Sequence, residues 1–180
     1  MKIACLAWGS LVWDPRNLKI NSPWFKDGPP VQVEFARQSG GGRLTLVLGP
    51  QFLAVQSLWA WMGPSVLSDA IESLRSREGT NSSRIGVWYP GEVGPDCIMD
   101  LPSWASEKGA SGVIWTALPP RFKGQTDRAP TIEEALKYLQ SLGPAQQHDA
   151  EEYIRNAPPQ IRTPYRNAFE ANLGWHPEPV

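Results

Sequence analysis

The chain has 180 residues, 41% hydrophobic and 19% charged, with 17 basic and 18 acidic side chains for a formal net charge of −1. That is enough chain to bury one core without staples, and its composition is that of a globular domain rather than a disordered segment. The balanced charge gives no electrostatic case for nucleic acid or an anionic membrane, and no segment has the length and apolarity of a membrane span.

Two cysteines, Cys5 and Cys97, do not make a disulfide framework. With no CxxC or HExxH motif, and with His148 and His176 in unrelated settings, no metal site is expected. The N-terminus has no signal-peptide pattern, so the expected location is cytoplasmic. A single domain over residues 1–180 is expected, with no linker and no internal repeat. Nine Trp and eighteen Pro point to a loop-rich fold with large rigid apolar surfaces.

The first element is a short apolar run from Ile3, a buried strand that stops at Gly9-Ser10. An irregular loop follows through Asp14-Pro15-Arg16-Asn17 and the stretch from Pro23 to Pro30. Val31 to Arg37 alternates apolar and polar, Ser39 to Gly42 is a glycine cluster, and Arg43 to Leu48 resumes as strand: a β-hairpin. A third strand is predicted over Leu53–Trp61, running into Gly63-Pro64. Pro64 suits a first helical turn, after which Val66, Leu67, Ala70, Ile71 and Leu74 recur at helical spacing. Gly79 is the expected stop of that helix.

Another strand is predicted from Ile85 to Tyr89, loop from Pro90 to Pro102, and strand from Gly112 to Leu118. The last third reads as helical. Thr131 and Glu134 have capping-box spacing ahead of Ala135, Leu136 and Leu139. A second helix carries Ala150, Tyr153, Ile154 and Ala157 and is stopped by Pro158-Pro159. Thr163-Pro164 starts a third, which Gly174 ends. Strands first and helices last give an α+β class, a small mixed sheet or barrel closed by helices.

Two places in this scheme have chemical potential. Successive backbone N–H groups where a strand ends in a tight turn make a cradle for a carboxylate or oxyanion, and Gly9-Ser10 stands at such a place. Glu78 sits in the last turn of its helix, facing the negative end of the helix dipole, an unfavourable position for a carboxylate. Taken singly, the first is an ordinary turn and the second a solvated charge.

Taken together, they resemble the γ-glutamylcyclotransferase-like superfamily. Its pattern opens with a strand leading into Tyr-Gly-Ser, and the run Trp8-Gly9-Ser10-Leu11-Val12-Trp13 is similar to the Tyr-Gly-Ser-Leu-Ile-Trp of the glutathione-degrading branch. Leu58-Trp59-Ala60-Trp61, the helix to Leu74 and Arg77-Glu78-Gly79 follow the family's order of a Trp-bearing strand and a helix ending at a catalytic Glu. A strand over Gly112 to Thr116, a helix opening near Pro130, and Tyr165 in place of a pocket-facing Tyr complete the likeness, which spans most of the chain. Two departures bear on the substrate: Trp8 replaces the family's Tyr, and no Tyr stands between Glu78 and Tyr89.

The resemblance implies the α+β cyclotransferase fold and a definite reaction. The α-amine of a γ-glutamyl small molecule attacks its own γ-carbonyl, closing the ring of 5-oxoproline and releasing an amine, amino acid or peptide. Glu78 would be the general acid/base. Trp8, Gly9, Ser10 and Leu11 would hold the substrate, with Tyr165 against the glutamyl moiety. No cofactor is implied. The rival reading is a binding protein that keeps fold and pocket without turnover; acyl transfer through Ser10 or Cys5 lacks a motif-linked base.

Overall fold

The computed structural model describes residues 1–178; the last two lie outside it. Strand β1 (Ile3–Ala7) is the axis of the fold, and all five of its residues are buried. Side chains alternate across a strand. Ile3, Cys5 and Ala7 therefore enter one core with Leu67, Ala70 and Leu74, while Ala4, Leu6 and Trp8 enter the other with Val33, Phe35 and Leu46. A strand buried on both faces has a continuous apolar run, as this one does.

The other strands are β2 (Pro30–Gln38), β3 (Leu44–Leu48), β4 (Ala54–Gln56), β5 (Leu58–Trp61), β6 (Ile85–Trp88), β7 (Gly112–Thr116), β8 (Arg121–Phe122) and β9 (Gln125–Thr126). They form two mixed sheets. One has the order β5-β1-β7-β6, with β1 and β7 parallel and both outer pairings antiparallel. The other runs β3-β2-β8-β9, with β4 also paired to β2. The α+β class holds; neither sheet closes into a barrel.

The glycine-linked hairpin is present as β2–β3, joined through a helical turn over Gly40–Gly42. The strand expected over Leu53–Trp61 is instead two strands in different sheets, because the chain changes partner at Ser57. Ser57 is fully buried, donates through Oγ to the Pro29 carbonyl at 2.6 Å, and packs on Gly28, where a Cβ would meet it at 2.4 Å.

Helix α1 spans Leu67–Glu78 and ends where predicted, with Gly79 left-handed at φ 61° and its N–H on the Arg75 and Ser76 carbonyls. Pro64 lies before the helix rather than in its first turn. Helix α2 (Leu101–Lys108) occupies the end of the expected loop and the residues beyond it. Its signals were Pro102 in the first turn, Leu101, Trp104 and Ala105 at helical spacing, and Gly109 as left-handed stop. Trp104 stacks edge-on to Trp59 at 5.3 Å, and Asp27 accepts from both indoles, through its carboxylate and its carbonyl.

The capping box of Thr131 and Glu134 opens α3 (Ile132–Ser141). Helices α4 (Pro144–Asn156) and α5 (Pro164–Leu173) follow, the latter capped by Thr163 and stopped by Gly174. Fully buried Arg166 of α5 donates to the carbonyls of Ile154, Ala157, Pro158 and Ile161 at 2.7–3.1 Å. The bonds to Ile154 and Ala157 satisfy carbonyls at the C-terminal end of α4, and those to Pro158 and Ile161 tie down the segment that follows it. They fix the helix that bears Tyr153.

Candidate functional site

A cavity of about 720 Å³ opens where the ends of β1, β2 and β7 meet the last turn of α1. Gly9-Ser10-Leu11 forms one wall. After β1 the chain turns tightly, with Val12 N–H on the Gly9 carbonyl at 3.0 Å and Asp14 N–H on the Ser10 carbonyl at 2.9 Å. Among the described residues, the N–H groups of Gly9, Ser10 and Leu11 donate to no acceptor of the chain. Gly9 and Leu11 are buried as residues and, with Ser10, line the cavity. Three successive N–H groups at a strand-end turn are a pattern that can cradle an anion.

Glu78 forms the facing wall. Its side chain is 14% exposed, so it is not the solvated charge that helix position alone implies. Arg77 connects the two walls. Its guanidinium, 2% exposed, donates through Nη1 to Glu78 Oε1 at 3.1 Å and through Nη2 to Ser10 Oγ at 3.1 Å. Nε and Nη2 also donate to the Asp14 carbonyl. One planar group thus ties the strand-end turn to the helix-end carboxylate, as a fork of fixed donors can. Arg75 serves instead an exposed pair with Glu72.

Burial pushes the Glu78 carboxyl above the usual carboxylate range, while the charges of Arg77 and Arg16 and the neighbouring Thr116 hydroxyl pull it back. A base moved toward neutrality, held by a counter-charge inside a cleft, fits proton transfer. Thr116 Oγ1, buried without a well-formed hydrogen bond, lines the cavity beside it.

Of the residues singled out in the sequence, Trp8, Gly9, Ser10, Leu11 and Glu78 all line this one cavity. Tyr165 does not. Its hydroxyl donates to the Pro130 carbonyl, its N–H to Glu34 Oε2, and its ring packs edge-on to Phe169. It is held by the α3 and β2 side of the core, away from the cavity lining. The tyrosine at the cavity is Tyr153 of α4. Its hydroxyl accepts from Leu46 N–H at 3.2 Å and lies against Gly9, where a Cβ would come within 2.9 Å. Burial pushes that hydroxyl up to about 12, so it remains a donor. Sequence reading placed Tyr153 on an apolar helix face; the one signal for it was a phenol at a core position, which needs a polar partner.

Cys5 is fully buried and burial drives its thiol far above the ordinary range, which removes it as a nucleophile. Ser10 has neither histidine at the cavity to activate it. Among the described residues, no group of His, Cys, Asp and Glu is arranged to hold a metal ion, and no helix is long and apolar enough to cross a membrane. The cavity therefore offers one carboxylate, five arginines, a run of backbone N–H donors and a phenol. Comparison of this chain with protein-family models, with curated proteins and with solved structures finds no match.

Proposed function

We propose that this chain is a γ-glutamylcyclotransferase-like enzyme that releases 5-oxoproline from a γ-glutamyl compound. The observation that carries the reading is the Arg77 bridge. It bonds Ser10 and Glu78 simultaneously, so the anion-holding turn and the proton-moving carboxylate face one cavity.

In this reading the substrate's own α-amine is the nucleophile. Because it is tethered, the protein mainly holds a near-attack geometry. The amine nitrogen bonds to the γ-carbonyl carbon, and the carbonyl oxygen becomes an oxyanion. Glu78 takes the proton from the attacking nitrogen. N–H groups of Gly9, Ser10 and Leu11 stabilise the oxyanion or the substrate carboxylate, and the Tyr153 hydroxyl donates to the same moiety. The amide C–N bond then breaks as Glu78 returns the proton to the leaving nitrogen. The products are 5-oxoproline and an amine.

The test is direct incubation of the protein with γ-glutamyl amino acids, γ-glutamyl amines and glutathione, with 5-oxoproline measured. Release from at least one of them is expected, and release from none refutes the reading. Thermal stabilisation by these compounds without product would identify a binding protein on the same pocket.

A further inference from the structure

The cavity is lined by five arginines (Arg16, Arg37, Arg43, Arg77 and Arg121) against the single carboxylate of Glu78. The whole chain has net charge −1, so this excess is local. Arg77 and Arg16 have carboxylate partners in Glu78 and Asp14. Among the described residues, Arg37, Arg43 and Arg121 have no salt bridge. Glu134 is taken by Arg128 and Lys123.

Arg37 and Arg121 are direct partners in the parallel pairing of β2 with β8. Neighbours in register put their side chains on one face, and like charges there repel. Arg37 is further held in place by donating through Nη1 to the Pro119 carbonyl at 2.8 Å. Burial, with the charges of Arg121 and Arg84, lowers its guanidinium from the ordinary value. A half-buried guanidinium with cationic neighbours and no acid is costly unless an anion joins it. Paired forks of N–H donors suit a carboxylate or a phosphate.

We propose that Arg37 and Arg121 form a second anion subsite, so that the preferred ligand is a γ-glutamyl compound whose departing amine itself carries a carboxylate or phosphate. The identification of the ligand as γ-glutamyl rests on the cyclotransferase reading; the subsite itself rests on the arginines. A cavity of about 720 Å³ holds a molecule of dipeptide size with room for both ends.

Three probes decide it: γ-glutamylglycine, γ-glutamyl-O-phosphoethanolamine and the neutral γ-glutamylmethylamide. Each is titrated calorimetrically into wild type, Arg121→Gln and Arg37→Gln/Arg121→Gln, and 5-oxoproline is assayed in parallel. At least one anionic probe should bind wild type about tenfold or more tightly than the neutral one, with a preference that weakens as salt rises. The tighter of the two anionic probes identifies carboxylate or phosphate as the group recognised. The preference should shrink in Arg121→Gln, an exposed position where folding is not at stake, and approach unity in the double variant. Equal binding of charged and neutral probes by wild type, an undiminished preference in the variants, or no binding of any probe overturns the subsite. Preferential binding without 5-oxoproline upholds the subsite and refutes cyclisation; 5-oxoproline formed with no binding preference does the reverse.

Discussion

Replacing Gly9 by alanine tests the contact on which one wall of the cavity depends. The added methyl would lie 2.9 Å from Tyr153 Oη, closer than such contacts allow. The Tyr153 ring has little room to yield. It meets Trp13 edge-on at 5.3 Å and Phe35 at 6.4 Å, and its hydroxyl accepts the buried Leu46 N–H at 3.2 Å. Overpacking of this kind costs about 1–3 kcal/mol, of which about 1 is the weakened Leu46 bond. Tyr153→Phe removes the clashing oxygen and leaves Cζ at 4.0 Å, an ordinary contact, but orphans the Leu46 N–H at a cost of about 1–2 kcal/mol. Gly9→Ala/Tyr153→Phe should therefore be about as stable as Tyr153→Phe alone. Urea unfolding of the four proteins gives the coupling, which should equal the full cost of Gly9→Ala, about 1–3 kcal/mol. Additivity to within about 0.5 kcal/mol would show that the two residues do not meet and would refute the placement of Tyr153.

Two other substitutions probe buried charge. Burial pushes the Glu34 carboxyl up to about 7, opposed by bonds from Thr163 Oγ1, Phe35 N–H and Tyr165 N–H. Its folded-state value exceeds the unfolded one, so its contribution to stability is full below the unfolded value and is lost as pH rises toward 7. Wild type should lose about 3 kcal/mol more than Glu34→Gln over that interval in denaturant titrations; parallel curves would contradict this. Arg77→Gln removes the counter-charge that pulls Glu78 down, so the acidic limb of kcat for 5-oxoproline release should move to higher pH. An unmoved limb would show that Arg77 does not set the titration of the reacting group.

What could be read in the sequence was whatever one local pattern encodes. The turn at Gly9-Ser10 just after β1 and the stop of α1 at Gly79 are both local, and both line the cavity. Cap chemistry gave the starts of α3 and α5 for the same reason. Ser57 was not legible as a switch between sheets, because a polar pair such as Gln56-Ser57 inside a strand-like run looks alike whether the run serves one sheet or two. Helix α2 had its Pro and Gly punctuation, masked by the Pro- and Gly-rich stretch before it. Tyr165 and Tyr153 each lie on the apolar face of a helix, and only packing decides which hydroxyl reaches the cavity. Arg37 and Arg121 lie far apart in the chain and meet through a single pairing, which no local pattern foretells.

In the proposed cyclisation Glu78 moves the proton, in a cavity that holds the substrate. Glu78→Gln keeps the shape of the side chain and its acceptor toward Arg77 while removing the base. With a γ-glutamyl compound that wild type converts, kcat for 5-oxoproline release should fall by about 10²-fold or more while the substrate Kd changes only a few-fold. A Glu78→Gln protein that releases 5-oxoproline at the wild-type rate would contradict the account.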